Sequence, residues 1–312
     1  MENQTYNVDL LKLEGMYVDN LSMYPAFIFL LIVYIFSMVS NIGLTVLICL
    51  ERILHQPMYI LLGNMSFNDA LSITTVIPRL LFDILTPTSD RYITYNECFT
   101  QAFLGHWFAA NFHTILMTMA FDRNVAICDP LRYTTIMNNY MLVKLCVFAW
   151  LMSIVFVAAL LGLVVPLSRC RSEITNPWCD NASLVKLSCE TTVVNNIYGL
   201  FYTAILFVSS MGIVAYTYIR ITMVCLRSKS KSLNRKALHT CFTHLAVYLI
   251  MLFAGFIIVF LHRYPQWSNY RKLASVIFYV VPPALNPLIY GFQSKDIRKQ
   301  VINILKSKKV GY

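Results

Sequence analysis

Ionisable and amide side chains interrupt long apolar runs of this sequence at a few places, and those places bound the chemistry available. Asp69 lies in NMSFNDALS with Asn64, Ser66, Asn68 and Ser72 around it, Asn41 stands alone in an apolar stretch, and LNPLIY supplies Asn286, Pro287 and Tyr290. Brought together, Asn41, Asp69 and Asn286 would form a core polar site able to hold water or a cation. The same contacts would serve equally as hydrogen-bonded glue between helices. Asp122 and Arg123 are adjacent in MAFDRNVAICDPLRY, at the end of another apolar run. A pair there can anchor a helix end or form a two-state charge contact. His106, Ala109, Ala110 and His113 recur at helical spacing along one face of that run. Catalysis finds no support: the histidines at 106, 113, 239 and 244 are dispersed, Asp69 is isolated, and neither a metal-ligand set nor a nucleophile with its base is evident. No enzyme activity, metal or cofactor is expected. A retinal Schiff base is excluded as well, since the last apolar run carries only Lys272, at its edge, and Phe278, Tyr279, Val280 and Val281 where a lysine would be needed.

The elements that must position these residues follow from composition. Of 312 residues 58% are hydrophobic and 13% charged, a balance foreign to soluble domains. A membrane helix needs about 20 predominantly apolar residues. Seven stretches qualify: Tyr24–Leu50, Met58–Leu81, Phe99–Phe121, Tyr140–Pro166, Asn195–Leu226, Ala237–Leu261 and Leu273–Phe292. They predict an all-α membrane protein, a seven-transmembrane helix bundle forming one domain over residues 1–312. Within it, residues 1–23 would be an extracellular amino terminus, 24–292 the bundle and 293–312 a cytoplasmic tail. Nothing before Tyr24 has the order of a cleaved signal peptide, so the first span is expected to do the targeting.

Orientation follows from the basic residues. Arg227, Lys229, Lys231, Arg235 and Lys236 lie between the fifth and sixth spans, and Lys295, Arg298, Lys299, Lys306, Lys308 and Lys309 in the tail, which places both segments in the cytoplasm. Glu2, Asp9, Glu14, Asp19, Asp90, Glu97, Glu173, Asp180 and Glu190 fall on the other side. The net charge of +10 is therefore a topology signal, and no nucleic-acid partner is implied. In the tail, Ile297, Val301, Ile302 and Leu305 recur among the bases as in a short amphipathic C-terminal helix lying on membrane lipid. Cys98, Cys170, Cys179 and Cys189 are on the outer side, where two bridges in three possible connectivities can form. Three of them sit in the long segment from Leu167 to Val194, which reads as a folded lid. Asn3-Gln-Thr5 is the expected glycosylation sequon.

PMYILLGNMSFNDA from Pro57, MAFDRNVAICDPLRY from Met119, KALHTCFTHL from Lys236 and PALNPLIYGFQSKDIRK from Pro283 together resemble the signature set of odorant (olfactory) receptors, within the rhodopsin-like (class A) G-protein-coupled receptors. The resemblance covers essentially the whole chain, in order. It implies bridges Cys98–Cys179 and Cys170–Cys189, and a small-molecule odorant as ligand. It also implies a cytoplasmic heterotrimeric G protein of the stimulatory or olfactory type that raises cyclic AMP, with residence in the plasma membrane of olfactory cilia. By the same resemblance Asp122, Arg123, Tyr218, His239 and Tyr290 form the G-protein-coupling switch. LHRYP, with His262 and Arg263, resembles the fish-like branch, whose odorants tend to be water-soluble. The chain departs from the pattern at Asn124, where the family has tyrosine; at Phe112, where many relatives carry an acid; and at Met251–Phe253, which puts Leu252 in the place of a toggle tyrosine.

An odorant site should be a partly apolar cavity under the lid with a few convergent polar groups. The expected lining is His106, Ala109, Ala110 and His113 from the third span, Tyr202, Thr203 and Leu206 from the fifth, Phe256, Val259 and Arg263 from the sixth, and Tyr279 from the seventh. Arg263 and His106 facing each other would hold a carboxylate, suggesting acidic odorants. The rival reading is a receptor of the same scaffold for an endogenous peptide or lipid.

Overall fold

The computed structural model describes residues 9–16, 18–227 and 231–307, apart from the side chains at 20, 231–244, 265, 290–293, 305 and 307. Seven long helices form the bundle: α1 (Asn20–Leu50), α2 (Pro57–Leu85), α3 (Tyr95–Cys128), α5 (Asn139–Gly162), α7 (Val193–Arg227), α8 (Lys231–Leu261) and α9 (Ser268–Gln293). Short α4 (Tyr133–Ile136) joins α3 to α5, α6 (Asn181–Lys186) lies in the lid, and α10 (Lys295–Ser307) is the amphipathic tail helix. Stretches within α1, α2, α5, α7 and α9 are each long and apolar enough to cross a bilayer, and α8 contributes the apolar segment Leu245–Leu261. α3 is more polar because it is the central helix: Gln101, Asn111, His113, Thr114 and Thr118 are all buried against its neighbours.

Local signals start the helices where the sequence changes character. Thr94 caps α3 in a reciprocal box, its Oγ1 accepting from the Glu97 N–H at 3.3 Å while the Thr94 N–H donates to Glu97 Oε2 at 3.0 Å. Asn138 caps α5 by accepting from the Met141 N–H at 2.9 Å, and Pro57 occupies the first turn of α2. The fourth helix stops at Gly162, so Leu163–Pro166, expected within that span, belong to the turn leading into the lid.

Inside the bundle, polar groups pair with one another because hydrocarbon offers them no partner. Asn286 Nδ2 donates to Asp69 Oδ2 at 2.7 Å, joining α9 to α2. Asn41, expected in the same cluster, instead donates to the Pro283 carbonyl at 2.8 Å. That carbonyl lies four residues before Pro287, which has no N–H to return to it, so Asn41 on α1 replaces the donor that α9 lacks. A second network binds α2, α3 and α5: Asn111 Nδ2 donates to Asn68 Oδ1 at 3.0 Å, and Asn68 Nδ2 to the Phe108 carbonyl at 3.2 Å. Ser153 Oγ approaches Asn111 Oδ1 at 3.4 Å.

At the lid end, a three-stranded sheet appears that the hydropathy pattern does not anticipate. β1 (Leu10–Leu13) pairs antiparallel with β2 (Tyr92–Thr94) and parallel with β3 (Glu173–Ile174), in the order β2-β1-β3. Leu11 and Leu13 are fully buried beneath it. Two cations fasten the chain after β1. Buried Arg91 donates to the carbonyls of Glu14 at 3.0 Å, Met16 at 3.2 Å and Thr86 at 2.9 Å. Lys272 Nζ reaches Glu14 Oε1 and the Gly15 carbonyl, both at 2.9 Å. Gly15 has a φ of +69°, and a Cβ there would sit 2.6 Å from Arg91 Nη1, so glycine is required on both counts. The cysteines close as Cys98–Cys179, which ties α3 to the lid, and Cys170–Cys189 within the lid.

The proline account yields a double-mutant test. Asn41→Ala should lower the unfolding free energy of the detergent-solubilised protein by about 1–3 kcal/mol, since it strands a buried carbonyl. In a Pro287→Ala background the restored N–H satisfies that carbonyl, and the same substitution should then be nearly neutral. Equal losses in both backgrounds, read from thermal midpoints, would refute the assignment.

Candidate functional site

Between the lid and the bundle lies a cavity of about 600 Å³, lined by α3, α5, α6, α7 and α8 together with lid residues. Five expected ligand residues line it: His106, Tyr202, Thr203, Val259 and Arg263. α3 brings His106 to the cavity floor, where its Nε2 accepts the Asn181 N–H at 3.1 Å and its ring meets Tyr202 edge-on at 6.5 Å. Accepting that bond makes the ring a neutral tautomer with its proton on Nδ1, which is the donor left for a ligand. Arg263, in the turn that follows α8 at the lid end, is exposed and lines the cavity.

The other expected residues lie elsewhere. His113 is two helical turns, about 10 Å, further along α3. It is fully buried against Phe112, Phe207 and Tyr248, with neither ring nitrogen hydrogen-bonded. Ala110 and Leu206 line a second, apolar cavity of about 270 Å³ between α3, α5 and α7. Tyr202 lines both cavities and so stands between them. Ala109 packs against the main core, and Phe256 packs on Phe207 at 4.9 Å. Tyr279 is covered by Trp178 of the lid at 5.4 Å and faces Gly105, where a Cβ would meet its hydroxyl at 3.2 Å. A helical-face argument identifies which side of α3 turns inward but is blind to depth, which explains why His106 and His113 part company.

Beyond Arg263, His106 and His262, sequence reasoning missed the charge around this cavity. Arg171 and Lys186 of the lid and His262, just past the lid end of α8, also line it, with Asp180 as the acid. Asp180 is already engaged: its Oδ1 accepts the Ser183 N–H at 2.7 Å as the cap of α6, and its Oδ2 accepts from Asn176 Nδ2 at 2.8 Å. Burial, and then the nearby Arg271 guanidinium, hold the Lys186 amine below its usual range despite the opposing pull of Asp180. Burial likewise lowers the His262 imidazole, Asp180 opposing and Lys186 and Arg271 adding to the effect. The vestibule is electropositive and suited to an anionic group.

At the opposite end of α3, Arg123 folds back on its neighbour, with Nη2 at 2.6 Å and Nε at 3.0 Å from Asp122 Oδ2. Tyr133, not singled out from the sequence, donates to Asp122 Oδ1 at 2.8 Å. Asp122 is buried, and this carboxylate has both oxygens occupied. Arg123 and Tyr218 border one small void together with Leu245 and Tyr248. The side chains of His239 and Tyr290, and all of Asn3, lie outside the described residues.

Comparison with known proteins agrees with this architecture. A family model described as olfactory receptor matches residues 30–308. The human olfactory receptor 52N5 is 34% identical over 281 residues, 88% of this chain and 86% of the relative. Human olfactory receptor 4E1 is 34% identical over 309 residues, covering 98% and 96%, and mouse olfactory receptor 5AP2 is 35% identical over 284 residues, covering 89% and 88%. Apolar helices, two disulfides and these relatives describe a multi-pass membrane receptor rather than an enzyme. The chain belongs to the olfactory receptor family, odorant-sensing receptors of the G-protein-coupled class.

Proposed function

We propose that the lid faces the cell exterior, that a small acidic odorant binds in the vestibule beneath it, and that α3 links this event to a G protein on the cytoplasmic side. The observation that carries the reading is the electropositive 600 Å³ cavity, in which Arg263 and the free Nδ1 donor of His106 share a lining with apolar Leu160, Ile258 and Val259. A carboxylate would take charge-assisted hydrogen bonds from the first pair while its hydrocarbon tail packs on the second group. The ligand-contacting set is then His106, Tyr202, Thr203, Val259 and Arg263. The acids and disulfides of the lid end, and the bases of the tail end, support an external amino terminus and a cytoplasmic carboxyl terminus. The G protein is of the stimulatory or olfactory type and raises cyclic AMP; the setting is the cilium of an olfactory neuron, with α10 resting on inner-leaflet lipid. Asn3 carries the glycan.

Two expectations test these assignments in cells with surface-normalised receptor. Arg263→Ala should weaken cyclic-AMP responses to carboxylic acids by about tenfold or more, the loss of one charge-assisted contact, with smaller effects on alcohols of equal length. His113→Phe, away from the cavity, should leave the half-maximal concentration unchanged. Acid responses that survive Arg263→Ala intact would remove the carboxylate reading.

At the inner end, Tyr133→Phe and Asp122→Asn each weaken the contact that retains Arg123. Both should raise ligand-independent cyclic AMP severalfold, Asp122→Asn the more, because it removes the charge as well as a bond worth about 1.5–3 kcal/mol. A silent Asp122→Asn receptor at normal surface density would contradict a restraining role.

A further inference from the structure

Arg271 and Lys272 stand side by side at the lid end of α9, each only 3% exposed. Their surroundings differ in one respect. Lys272 is neutralised by Glu14 and capped by the Gly15 carbonyl. Arg271 has no acid: among the described residues the ion pairs are Arg79–Asp83, Asp122–Arg123 and Glu14–Lys272. Its Nη1 meets His262 Nδ1 at 3.3 Å, and its buried Nε has no partner. On the same side, Lys186 and His262 line the vestibule, and His262 Nε2 is likewise buried and unpartnered. The nearby carboxylate, Asp180, has its two oxygens committed to Ser183 and Asn176. Asp180 acts on Lys186 and His262 through space but forms an ion pair with none of the three, so the cations here outnumber the one carboxylate and a further negative charge would complete the cluster.

We propose that Arg271, His262 and Lys186 form a second carboxylate subsite, on the α8–α9 side of the vestibule and separate from Arg263 and His106, so that the preferred ligand is a dicarboxylate. The inference rests on the reading of the vestibule as an acid-binding cavity and adds to it a second anchoring point. Lys186 and His262 reach the ligand directly, and Arg271 acts from behind His262. With His106 and Arg263 holding one end, the apolar lining between the two subsites sets the chain length that fits.

The test uses the full-length receptor purified in detergent at constant chloride, with thermal midpoint as the measure of binding. Probes are α,ω-dicarboxylates from succinate to sebacate, the monocarboxylates of matching length, and inorganic phosphate. A dicarboxylate of one preferred length should act at a concentration about tenfold lower than its matching monocarboxylate, the worth of one further charge-assisted contact. Lys186→Gln, at an exposed position, should erase that advantage, weakening dicarboxylate binding far more than monocarboxylate binding. Arg271→Gln should do the same, with Arg271→Lys retaining part of it; should Arg271→Gln fail to fold, Lys186→Gln decides. Dicarboxylates no better than monocarboxylates, an advantage that survives Lys186→Gln, or a midpoint shift produced equally by phosphate would each overturn the second subsite. Monocarboxylate binding lost on Arg263→Ala would still uphold the acid-binding reading in those cases, and wild-type receptor indifferent to every carboxylate would overturn both.

Discussion

Pro287, one of three prolines inside α9, removes a hydrogen-bond donor from a helix that runs through hydrocarbon, and the way α1 packs on α9 answers the deficit it leaves. The carbonyl of Pro283 is left without its helical partner, and Asn41 of α1 supplies the N–H at 2.8 Å. One residue before Pro287, Asn286 donates to Asp69 of α2 at 2.7 Å. The helices α1, α2 and α9 are thus held in fixed register at a single level by polar bonds that lipid could not replace. The Asn68–Asn111 pair extends the same logic to α3 and α5. Apolar packing surrounds these contacts, but it is not directional, and alternative packings of similar apolar area would satisfy it equally.

The lid end obeys a related rule with formal charges in place of amides. Arg91 and Lys272 are buried there and consume the carbonyls and the carboxylate of Glu14–Met16. Their demand is what pulls the amino-terminal segment across the bundle and lets β1 bridge β2 and β3. Together with the Cys98–Cys179 bridge, this turns a long connection into a lid that roofs a cavity. The cavity's own cations, Arg171, Lys186 and Arg263, are a separate set from the two that fasten the roof.

Legibility in the sequence divides along physical lines. Six of the seven helices announce themselves by sustained apolar runs, and α3 is legible despite its polar content because apolar stretches such as Ala102–Leu104 and Ile115–Met117 still recur along it. The sheet is invisible beforehand: its strands have two to four residues, too few to show alternation, and their pairing depends on segments brought together by the helices. His106 and His113 share a face of α3, yet only the first reaches the cavity, because its depth depends on where Tyr202 and the lid close over the bundle. Asn41 reads as a partner for Asp69, since both are polar and mid-span, whereas the true partner is a backbone carbonyl freed by a proline on another helix. Tyr133 and Arg271 carried no signal at all. Each lies near a helix start among other polar residues, and only the three-dimensional surroundings separate them from ordinary interfacial side chains.

Between the vestibule and the Asp122–Arg123 pair runs α3, which contains no proline and extends unbroken from Tyr95 to Cys128. From His106 to Arg123 the rise is about 25 Å. A continuous helix with its amides locked to α2 and α5 is a poor candidate for bending, so relative movement at its two ends would fall to its neighbours. α8 is such a neighbour. Tyr248 lies on α8 beside His113 at 6.1 Å, shares a hydrogen bond of 2.9 Å with Ser210 of α7, and borders the void that Arg123 and Tyr218 also border. His113 packs edge-on against the Tyr248 ring, and neither of its ring nitrogens has a hydrogen-bond partner. Tyr248 is thus tied to α7 and packed on α3, at a level between the cavity and the charge pair.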